Sequence, residues 1–384
     1  METKKDIFRE HLLPYIKSDK KGRGDILSHV CFITGLHRKT AIGKFRRLWL
    51  KGSDLADRRG KKEYYGVDVT VALKMIWEAG GEVCGELLHP VIPEYVDILK
   101  RDQMWDYSEV LTGKLLAMSL ATVKRRVGKF RKVRQKRNGI SDTKPSHIKH
   151  LVPIFIGPWK GKPPGFGQVD TVRHSNTASG DAVYTLNYTD AATLTTILRA
   201  QWNKGQLATR QSMQAIKGKL PFPWLGAHPD TGSEFLNYLV MDWCKAENIE
   251  LSRSRPSHKN DNMYVEERNG HAVRKTIGYI ALNCPEAVPA LNAVYGSLNP
   301  YLLHFVAVRR CLSKERLQSK YKRIYEPIAK TPYQRILEHP EVAQLAKNKL
   351  KLEHEKLNPL FLKQTIDRCL KTLYDIQRRF GNQR

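Results

Sequence analysis

A stretch rich in glycine and proline, residues 138–167, divides this sequence into parts of different periodicity. Before it, apolar residues recur with the spacing of amphipathic helices. After it, short runs rich in β-branched and aromatic residues alternate with helical ones. Because glycine and proline interrupt regular structure, we expect a linker at residues 138–164. The predicted domains are 1–62 and 63–137, both mainly helical, 165–295, a core of strands and helices, and 296–384, a basic, mainly helical C-terminal region.

The central part predicts a mixed sheet. Three consecutive runs have strand character and are followed by alternating helices and strands, so we expect a five-stranded α/β sheet flanked by helices. The predicted strands are Phe166–Val172, Asp181–Tyr188, Thr195–Trp202, Trp224–His228 and Ile249–Arg253, with residues 176–180 as a hairpin loop. The predicted helices are Gln206–Leu220, Ser233–Glu247 and a long one at Asn262–Asn283, followed near the C-terminus by an amphipathic helix at 359–379.

Residues 25–50 have the pattern of two short helices around a turn. We expect Asp25 to cap the first helix, and the chain breaks at Thr34-Gly35-Leu36. Two helices around a glycine-containing turn are typical of helix-turn-helix units, whose second helix meets phosphates and base edges. The candidate DNA contacts on the second helix are Arg38, Lys39, Lys44 and Arg46. The alternative is a basic helix with a solvated face.

The pattern recurs at residues 109–131, and the segment between the two, 71–105, also has helical spacing. Residues 124–137 hold nine cations and no anion, which is typical of a helix lying on phosphates or of a basic linker. The candidate DNA contacts here are Lys124, Arg125, Arg126, Lys129 and Arg131. Two such units in one basic chain favour DNA binding over a solvated surface.

The net charge indicates a polyanionic partner. The 384 residues include 66 Lys and Arg against 38 Asp and Glu, a formal charge of +28, and nucleic acid is the first candidate for such an excess. A membrane surface is the rival, but the sequence has neither a signal peptide nor an apolar run near the roughly 18 residues that a spanning helix needs. Six scattered cysteines fit the reducing cytosol. Charge alone does not separate a DNA enzyme from an RNA-binding protein.

Three carboxylates stand where metal-assisted phosphoryl chemistry needs them. Asp170 lies in the first strand, Asp230 follows the fourth, and Glu266 lies one turn into the long helix, on a face shared by Asn262, Asn269 and Val273. Magnesium is held by a few carboxylates with water and substrate phosphate, and paired ions clamp both sides of an in-line displacement. Four other carboxylates are rivals that spacing does not exclude: Asp181, Asp190, Glu234 and Glu267.

These residues resemble the acidic triad of the DDE-type transposases, a retroviral-integrase-like family found in bacterial insertion sequences. Thirty-five residues separate Asp230 from Glu266, the spacing typical of one large branch of that family. Three sequence segments also match motifs of the family. The first is Asp230-Thr231-Gly232-Ser233-Glu234-Phe235, and the last is Thr331-Pro332-Tyr333-Gln334-Arg335. The second runs from Arg253-Ser254-Arg255-Pro256 through Lys259-Asn260-Asp261-Asn262 to Val265-Glu266-Glu267-Arg268-Asn269. The resemblance covers about residues 150–337.

The resemblance implies a ribonuclease H-like core and an enzyme that cuts transposon ends and joins the freed 3′-hydroxyl to target DNA. It implies two Mg²⁺ ions, which Mn²⁺ can replace, with Asp170 bridging them and Asp230 and Glu266 each completing one. It also implies a cytoplasmic, DNA-associated bacterial protein that acts as a homo-oligomer on double-stranded DNA. Lys259, Arg268 and Lys275 are candidates to hold phosphates near the site.

One departure from the family concerns the residue after the second aspartate. The family commonly has asparagine there, and this chain has Thr231, which replaces an amide with a hydroxyl. Two other functions therefore stay open. One is a DNA-binding regulator derived from a transposase; the other is a structure-specific nuclease that cuts without joining. The paired helix-turn-helix patterns favour the transposase, because a structure-specific nuclease needs no reader of sequence.

Overall fold

The computed structural model describes residues 4–51, 64–131, 152–155, 157, 159, 161–175, 181–255, 259–317 and 320–381. Residue contacts divide the chain into two units, Met1–Gly66 and Val67–Arg384. The predicted boundary at residues 62 and 63, the cations at 132–137, the hairpin loop 176–180 and most of the predicted linker 138–164 lie outside the described residues.

The first unit is a small helical cluster. Its helices are α1 (Lys4–Glu10), α2 (Leu12–Lys17), α3 (Lys20–Thr34) and α4 (Arg38–Lys51). They enclose a core that includes Phe8, Val30 and Phe45, all nearly inaccessible to solvent. Burial of this apolar face, rather than helix propensity, is what holds such short helices in place.

The predicted pair of helices around Gly35 is present in the first unit. Gly35 has a φ of 67°, and its N–H donates to the carbonyl of Cys31, which ends α3 in the left-handed conformation that glycine adopts without strain. The predicted N-cap was wrong. Asp19 caps α3 by accepting from the N–H of Gly22 at 2.8 Å, and Asp25 lies inside the helix. The DNA-reading role of this pair stays a prediction.

The second unit is built on the predicted five-stranded sheet. Its strands are β1 (Phe166–Arg173), β2 (Val183–Asp190), β3 (Thr196–Trp202), β4 (Gly226–Pro229) and β5 (Glu250–Leu251). Their order is β3-β2-β1-β4-β5, with β1 to β3 antiparallel and with β4 and β5 parallel to β1. This mixed five-stranded sheet with flanking helices confirms the predicted α/β sheet. The fifth strand is shorter than predicted, and Arg253 pairs separately with Ile154.

One face of the sheet carries the main apolar core. Side chains of β1 and β2, among them Val169 and Tyr188, pack against α10 (Gln206–Lys217) and α11 (Tyr238–Ala246). Helix α11 begins five residues later than predicted. Asn237 caps it by accepting from the N–H of Val240 at 3.0 Å, and the residues before it form turns.

The opposite face is covered by helices that follow the fifth strand. The predicted long helix at Asn262–Asn283 was wrong in its extent and regularity. A 3₁₀ turn (Lys259–Asn262), α12 (Met263–Arg268), a π-helical turn (Asn269–Arg274) and α13 (Lys275–Ile277) follow one another. The segment ends at Gly278, whose φ of 81° no L residue adopts without strain.

The rest of the second unit packs around this core. The C-terminal elements are α14 (Ala287–His304), a hairpin of β6 (Cys311–Leu317) and β7 (Lys320–Tyr325), α15 (Pro332–Glu338), α16 (Gln344–Lys356) and α17 (Pro359–Phe380). Helix α17 confirms the predicted amphipathic helix, whereas the hairpin was not predicted. Among the described residues, no helix is both long and apolar enough to cross a membrane.

The helices before the core belong to the same unit. They are α5 (Val67–Ala79), α6 (Gly85–Leu88), α7 (Ile92–Arg101), α8 (Glu109–Leu116) and α9 (Leu120–Arg131), so the predicted helical segments are present. The hydroxyl of Tyr301 in α14 donates to the carbonyl of Ala79 at 2.6 Å. The hydroxyl of Tyr95 in α7 donates to the carbonyl of Phe305 at 3.2 Å. These buried contacts tie the helical region to the sheet-bearing part.

Candidate active site

Asp170 lies on the face of β1 that α12 covers. Side chains alternate along a strand, so Gln168 and Asp170 point to the same face. Gln168 fixes the start of α12, because its side-chain oxygen accepts from the N–H of Tyr264 at 2.8 Å and its amide donates to the carbonyl of Asp261 at 2.7 Å. The same strand therefore places Asp170 under the next turn of this helical segment.

Asp230 lies beside Asp170 because their strands are parallel neighbours. Val169 in β1 is paired with Pro229 in β4, so the residues that follow them lie in adjacent positions. The Oδ1 atom of Asp230 accepts from the N–H of Gly232 at 2.8 Å, which fixes the carboxylate at the carboxyl end of β4. The structure thus brings together two of the three predicted carboxylates.

The two carboxylates repel one another. Burial and the charge of Asp230 raise the pKa of Asp170 to about 8, with a smaller contribution from Glu234. The N–H of Thr171, which donates to Oδ1 of Asp170 at 2.8 Å, opposes this rise. A close pair of acids with a strongly raised pKa is typical of sites where a cation or a proton takes part in function.

Asn269 binds the other oxygen of Asp170, and Asn187 orients Asn269. The amide of Asn269, the first residue of the π-helical turn, donates to Oδ2 of Asp170 at 2.6 Å. The amide of Asn187, in the neighbouring strand β2, donates to Oδ1 of Asn269 at 2.8 Å. Sequence reasoning placed Asn269 on the relevant helix face but missed Asn187, whose only signal was a polar residue within an otherwise buried strand.

Glu234 is a third acid beside the pair. Its side chain is buried, and its Oε1 accepts from the hydroxyl of Thr171 at 3.0 Å. A Cβ atom on Gly232 would lie 2.6 Å from Oε2 of Glu234 and 2.9 Å from Oδ1 of Asp230, so both carboxylates close in on this glycine. Glu234 was among the rival carboxylates. It neighbours the pair without replacing either member.

Glu266 does not form a metal-binding group with Asp170 and Asp230 in the described part of the chain. It lies on α12, where its side chain is exposed, as is that of Glu267. Among the residues that the structure describes, no three acidic, histidine or cysteine side chains are arranged to hold a metal ion. Glu266 nevertheless precedes Asn269 by three residues, so it shares a side of the helical segment with the residue that touches Asp170.

The remaining rivals have other environments. Asp190 ends β2 and is fully buried, where its carboxylate accepts from the N–H of Gly165 at 2.8 Å and from the N–H and hydroxyl of Thr193, both at 2.7 Å. It therefore caps the turn into β3. Asp181 is exposed, and Glu267 pairs with His271 at 3.6 Å.

The fit of Mg²⁺ to these residues is partial. Asp170 and Asp230 supply two hard oxygen ligands whose mutual repulsion a cation would relieve, and Mg²⁺ in proteins is commonly held by one or two carboxylates with water and phosphate. This pair fits one hydrated ion. The set of three carboxylates that two ions would need is not assembled in the described part of the chain.

The candidate DNA-contacting side chains differ in whether they are exposed or already engaged within the protein. Lys39, Arg46, Arg125 and Lys129 are exposed. Others are engaged within the protein: Arg38 with Ser28, Lys44 over the ring of Phe8, Lys124 with Glu86, Arg126 with Thr70, and Lys275 with the carbonyl of Gly81. The side chains of Arg131 and Lys259 lie outside the described residues. Arg268 is only 5% exposed, and its contact with DNA stays a prediction.

Comparison with known proteins gives a relative in sequence and likenesses among solved structures. No protein-family model matches the chain. The crystal structure of the catalytic core domain of BIV integrase is 14% identical, with a TM-score of 0.28 over 44% of this chain and 91% of that one. The uncharacterized protein y4rM of Sinorhizobium fredii is 33% identical over 334 residues, which make up 85% of this chain and 93% of that protein. The chain therefore belongs to the same protein family as y4rM.

Proposed function

We propose that this protein is a DNA strand-transferring enzyme of the transposase and integrase kind. The observation that carries the proposal is the pairing of Asp170 with Asp230 at adjacent positions of β1 and β4. Burial, together with the charge of Asp230, raises the pKa of Asp170 to about 8. Two carboxylates held this close in a ribonuclease H-like sheet destabilise the folded state when both are ionised, and a bound cation would offset their repulsion.

The chain's own groups would divide the work. Asp170 and Asp230 would hold Mg²⁺, and Glu266 would complete the site from the exposed side of α12 when DNA is bound. The metal would supply activation of the attacking hydroxyl and stabilisation of the leaving oxygen. Asn269 and the N–H of Thr171 would fix the orientation of Asp170, and the N–H of Gly232 that of Asp230.

DNA would be bound through the exposed cations. The formal charge of +28 supports attraction of a polyanion, and the exposed Lys39 and Arg46 of α4 and Arg125 and Lys129 of α9 would contact phosphates. Transposon ends and target DNA are the proposed substrates. Assembly of several copies on the DNA belongs to the same proposal.

The test is a strand-transfer assay on the DNA that flanks the gene, with Mg²⁺ or Mn²⁺. Asp230→Asn is expected to abolish cleavage and joining while DNA binding persists, because only the metal ligand is lost. Glu266→Gln tests the third carboxylate in the same way. Asp242→Asn, an exposed aspartate in α11, is the matched control and should keep full activity.

Other results would identify a different function. Joining that survives in Asp230→Asn would disprove the assignment of the site. Cleavage without joining in the unaltered protein would indicate a nuclease. Specific DNA binding without either reaction in the unaltered protein would indicate a regulator.

A further inference from the structure

A group of buried guanidinium ions lies on the far side of α12 from the exposed Glu266. Arg268, at the end of α12, is 5% exposed, and its Nη2 atom is fully enclosed without a hydrogen-bond partner among the described residues. Its neighbouring charges are Glu267 and the like charge of Arg335. A buried guanidinium N–H without an acceptor is unusual, because removing a charged group from water costs several kcal/mol unless it is both paired and hydrogen-bonded.

Arg335 lies near Arg268, and Arg310 shares the carboxylate of Glu326 with Arg335. Arg335 in α15 is 8% exposed and grips Glu326 through Nη1 at 2.9 Å and Nη2 at 2.5 Å. Arg310, just before β6, donates its backbone N–H to Glu326 at 3.0 Å and its guanidinium to the carbonyl of Ala192. The Nε atoms of both arginines are enclosed and have no partner in the described part of the chain.

The charges of this three-arginine cluster do not balance. Arg268, Arg310 and Arg335 bring three positive charges, and Glu326 is the one carboxylate that the described hydrogen bonds place among them. That carboxylate is already engaged by Arg335 and Arg310. Three enclosed N–H donors, one on each arginine, therefore remain without an acceptor among the residues that the structure describes.

We propose that the three-arginine cluster is a binding site for a phosphoryl oxyanion. A tetrahedral oxyanion would bring the missing negative charge together with several acceptor oxygens, and the planar fork of arginine matches phosphate geometry. Tyr264 lies one turn before Arg268 on the same side of α12, within the field of Arg310 and Glu326, and its hydroxyl adds a further donor. Tyr264, Arg310 and Glu326 are partly exposed, which gives the site a route to solvent.

The same chemistry has two sources, free phosphate and a phosphodiester of bound DNA. Occupation by DNA rests on the proposed function, whereas binding of free phosphate does not. The experiment therefore begins without DNA. The thermal midpoint of the full chain is measured against inorganic phosphate, with ionic strength held constant by NaCl, for the unaltered protein, Arg268→Met, Arg268→Lys and the control Arg379→Met. Arg379 is an exposed arginine near the end of α17.

The unaltered protein and Arg379→Met should show a saturable rise of a few degrees with phosphate. Arg268→Met should lose this rise while keeping a midpoint in phosphate-free buffer at or above that of the unaltered protein, because an unpaired buried charge has been removed. Arg268→Lys should keep the rise with about tenfold weaker half-saturation, since the charge stays and the fork is lost. An equal rise in Arg268→Met, or none in the unaltered protein, would overturn the proposal.

A repeat with saturating duplex DNA distinguishes the two sources. If a DNA phosphodiester fills the site, the phosphate-dependent rise disappears when DNA is bound. If the site takes free phosphate, the rise persists with DNA present. Either result supports an oxyanion site, and neither depends on whether the protein cuts or joins DNA, so failure of the proposed function would leave this measurement intact.

Discussion

The side-chain amide of Asn269 donates a 2.6 Å hydrogen bond to Oδ2 of Asp170. Which end of that amide faces Asp170 is decided by a second residue, Asn187, whose own amide donates to Oδ1 of Asn269 at 2.8 Å. Asn187, the cross-strand partner of Asp170, thus controls the hydrogen bond that this candidate metal ligand receives from Asn269. Such supporting contacts commonly change metal affinity or activity by 10- to 100-fold when they are lost.

Asn187→Asp is expected to reverse the amide of Asn269. An ionised aspartate only accepts, so Asn269 would turn its NH₂ toward residue 187 and its oxygen toward Asp170. We expect activity to fall at least about tenfold and the Mg²⁺ concentration for half-maximal activity to rise. The measurement is a Mg²⁺ titration of strand transfer, and Asn348→Asp, on the exposed side of α16, controls for added charge. Unchanged Mg²⁺ dependence in a folded Asn187→Asp protein would contradict the relay.

Asp170→Asn is expected to stabilise the metal-free protein at neutral and higher pH. With a pKa of about 8 in the folded state, against an ordinary value of 3.8, Asp170 keeps its proton in the folded chain and loses it in the unfolded chain between about pH 4 and pH 8. Stability of the parent protein therefore falls as pH rises from about 4 to 8, and asparagine removes this loss. We expect a gain on the order of 1 kcal/mol or more at pH 8 and little at pH 4. Thermal unfolding in chelator at several pH values measures it, and a pH-independent difference would refute it.

Gly232→Ala is expected to damage the site more than the fold. The new Cβ would lie 2.6 Å from Oε2 of Glu234 and 2.9 Å from Oδ1 of Asp230, and both atoms end side chains that can move. Asp230 would then leave its position, and we expect at least a tenfold loss of activity with a change in unfolding free energy of about 1 kcal/mol. Gly296→Ala in α14, where a Cβ meets nothing within 4 Å, is the matched control. Loss of folding in place of activity would show that the glycine serves packing.

Deletions test how the helical regions serve the protein. Removing residues 1–66 takes away the first unit whole, so the unfolding midpoint of the remainder should stay unchanged while sequence-specific DNA binding is lost. Removing residues 1–137 also takes away Tyr95 and the partner of Tyr301, and it should lower that midpoint by several degrees. Calorimetry and binding assays at several salt concentrations measure both effects. Specific binding that survives the shorter deletion would exclude the first unit as the reader.

The affinity of the unaltered protein for DNA should depend steeply on salt concentration. A protein that contacts six or more phosphates loses about 10³- to 10⁵-fold in affinity between about 50 and 200 mM salt. Replacing the exposed pair Arg125 and Lys129 with alanine should make this dependence shallower. A flat response in the unaltered protein would contradict binding through phosphates.

The sequence predicted what depends on local pattern. The bounds of β1 and β3 and the position of Asp170 follow from alternation and turn residues, which are encoded over a few neighbours. The relation of Asp170 to Asn187 depends on how β1 pairs with β2, and that of Glu234 to the acid pair depends on a turn at Gly232. Neither can be read from periodicity. The length of the predicted helix after Asn262 was wrong because one residue, Gly278, adopts a positive φ that apolar spacing does not reveal.

The π-helical turn Asn269–Arg274 makes the site depend on how many residues this turn contains, as well as on which residues they are. A π turn holds one residue more than an α turn, so deleting a single residue within it would restore a regular helix. Because each α-helical residue turns the chain by about 100°, the deletion would rotate Glu266 and Asn269 relative to everything that follows. Homologous chains that differ by one residue here should then carry their acid and amide at shifted positions, so alignments of this segment need a gap rather than a substitution.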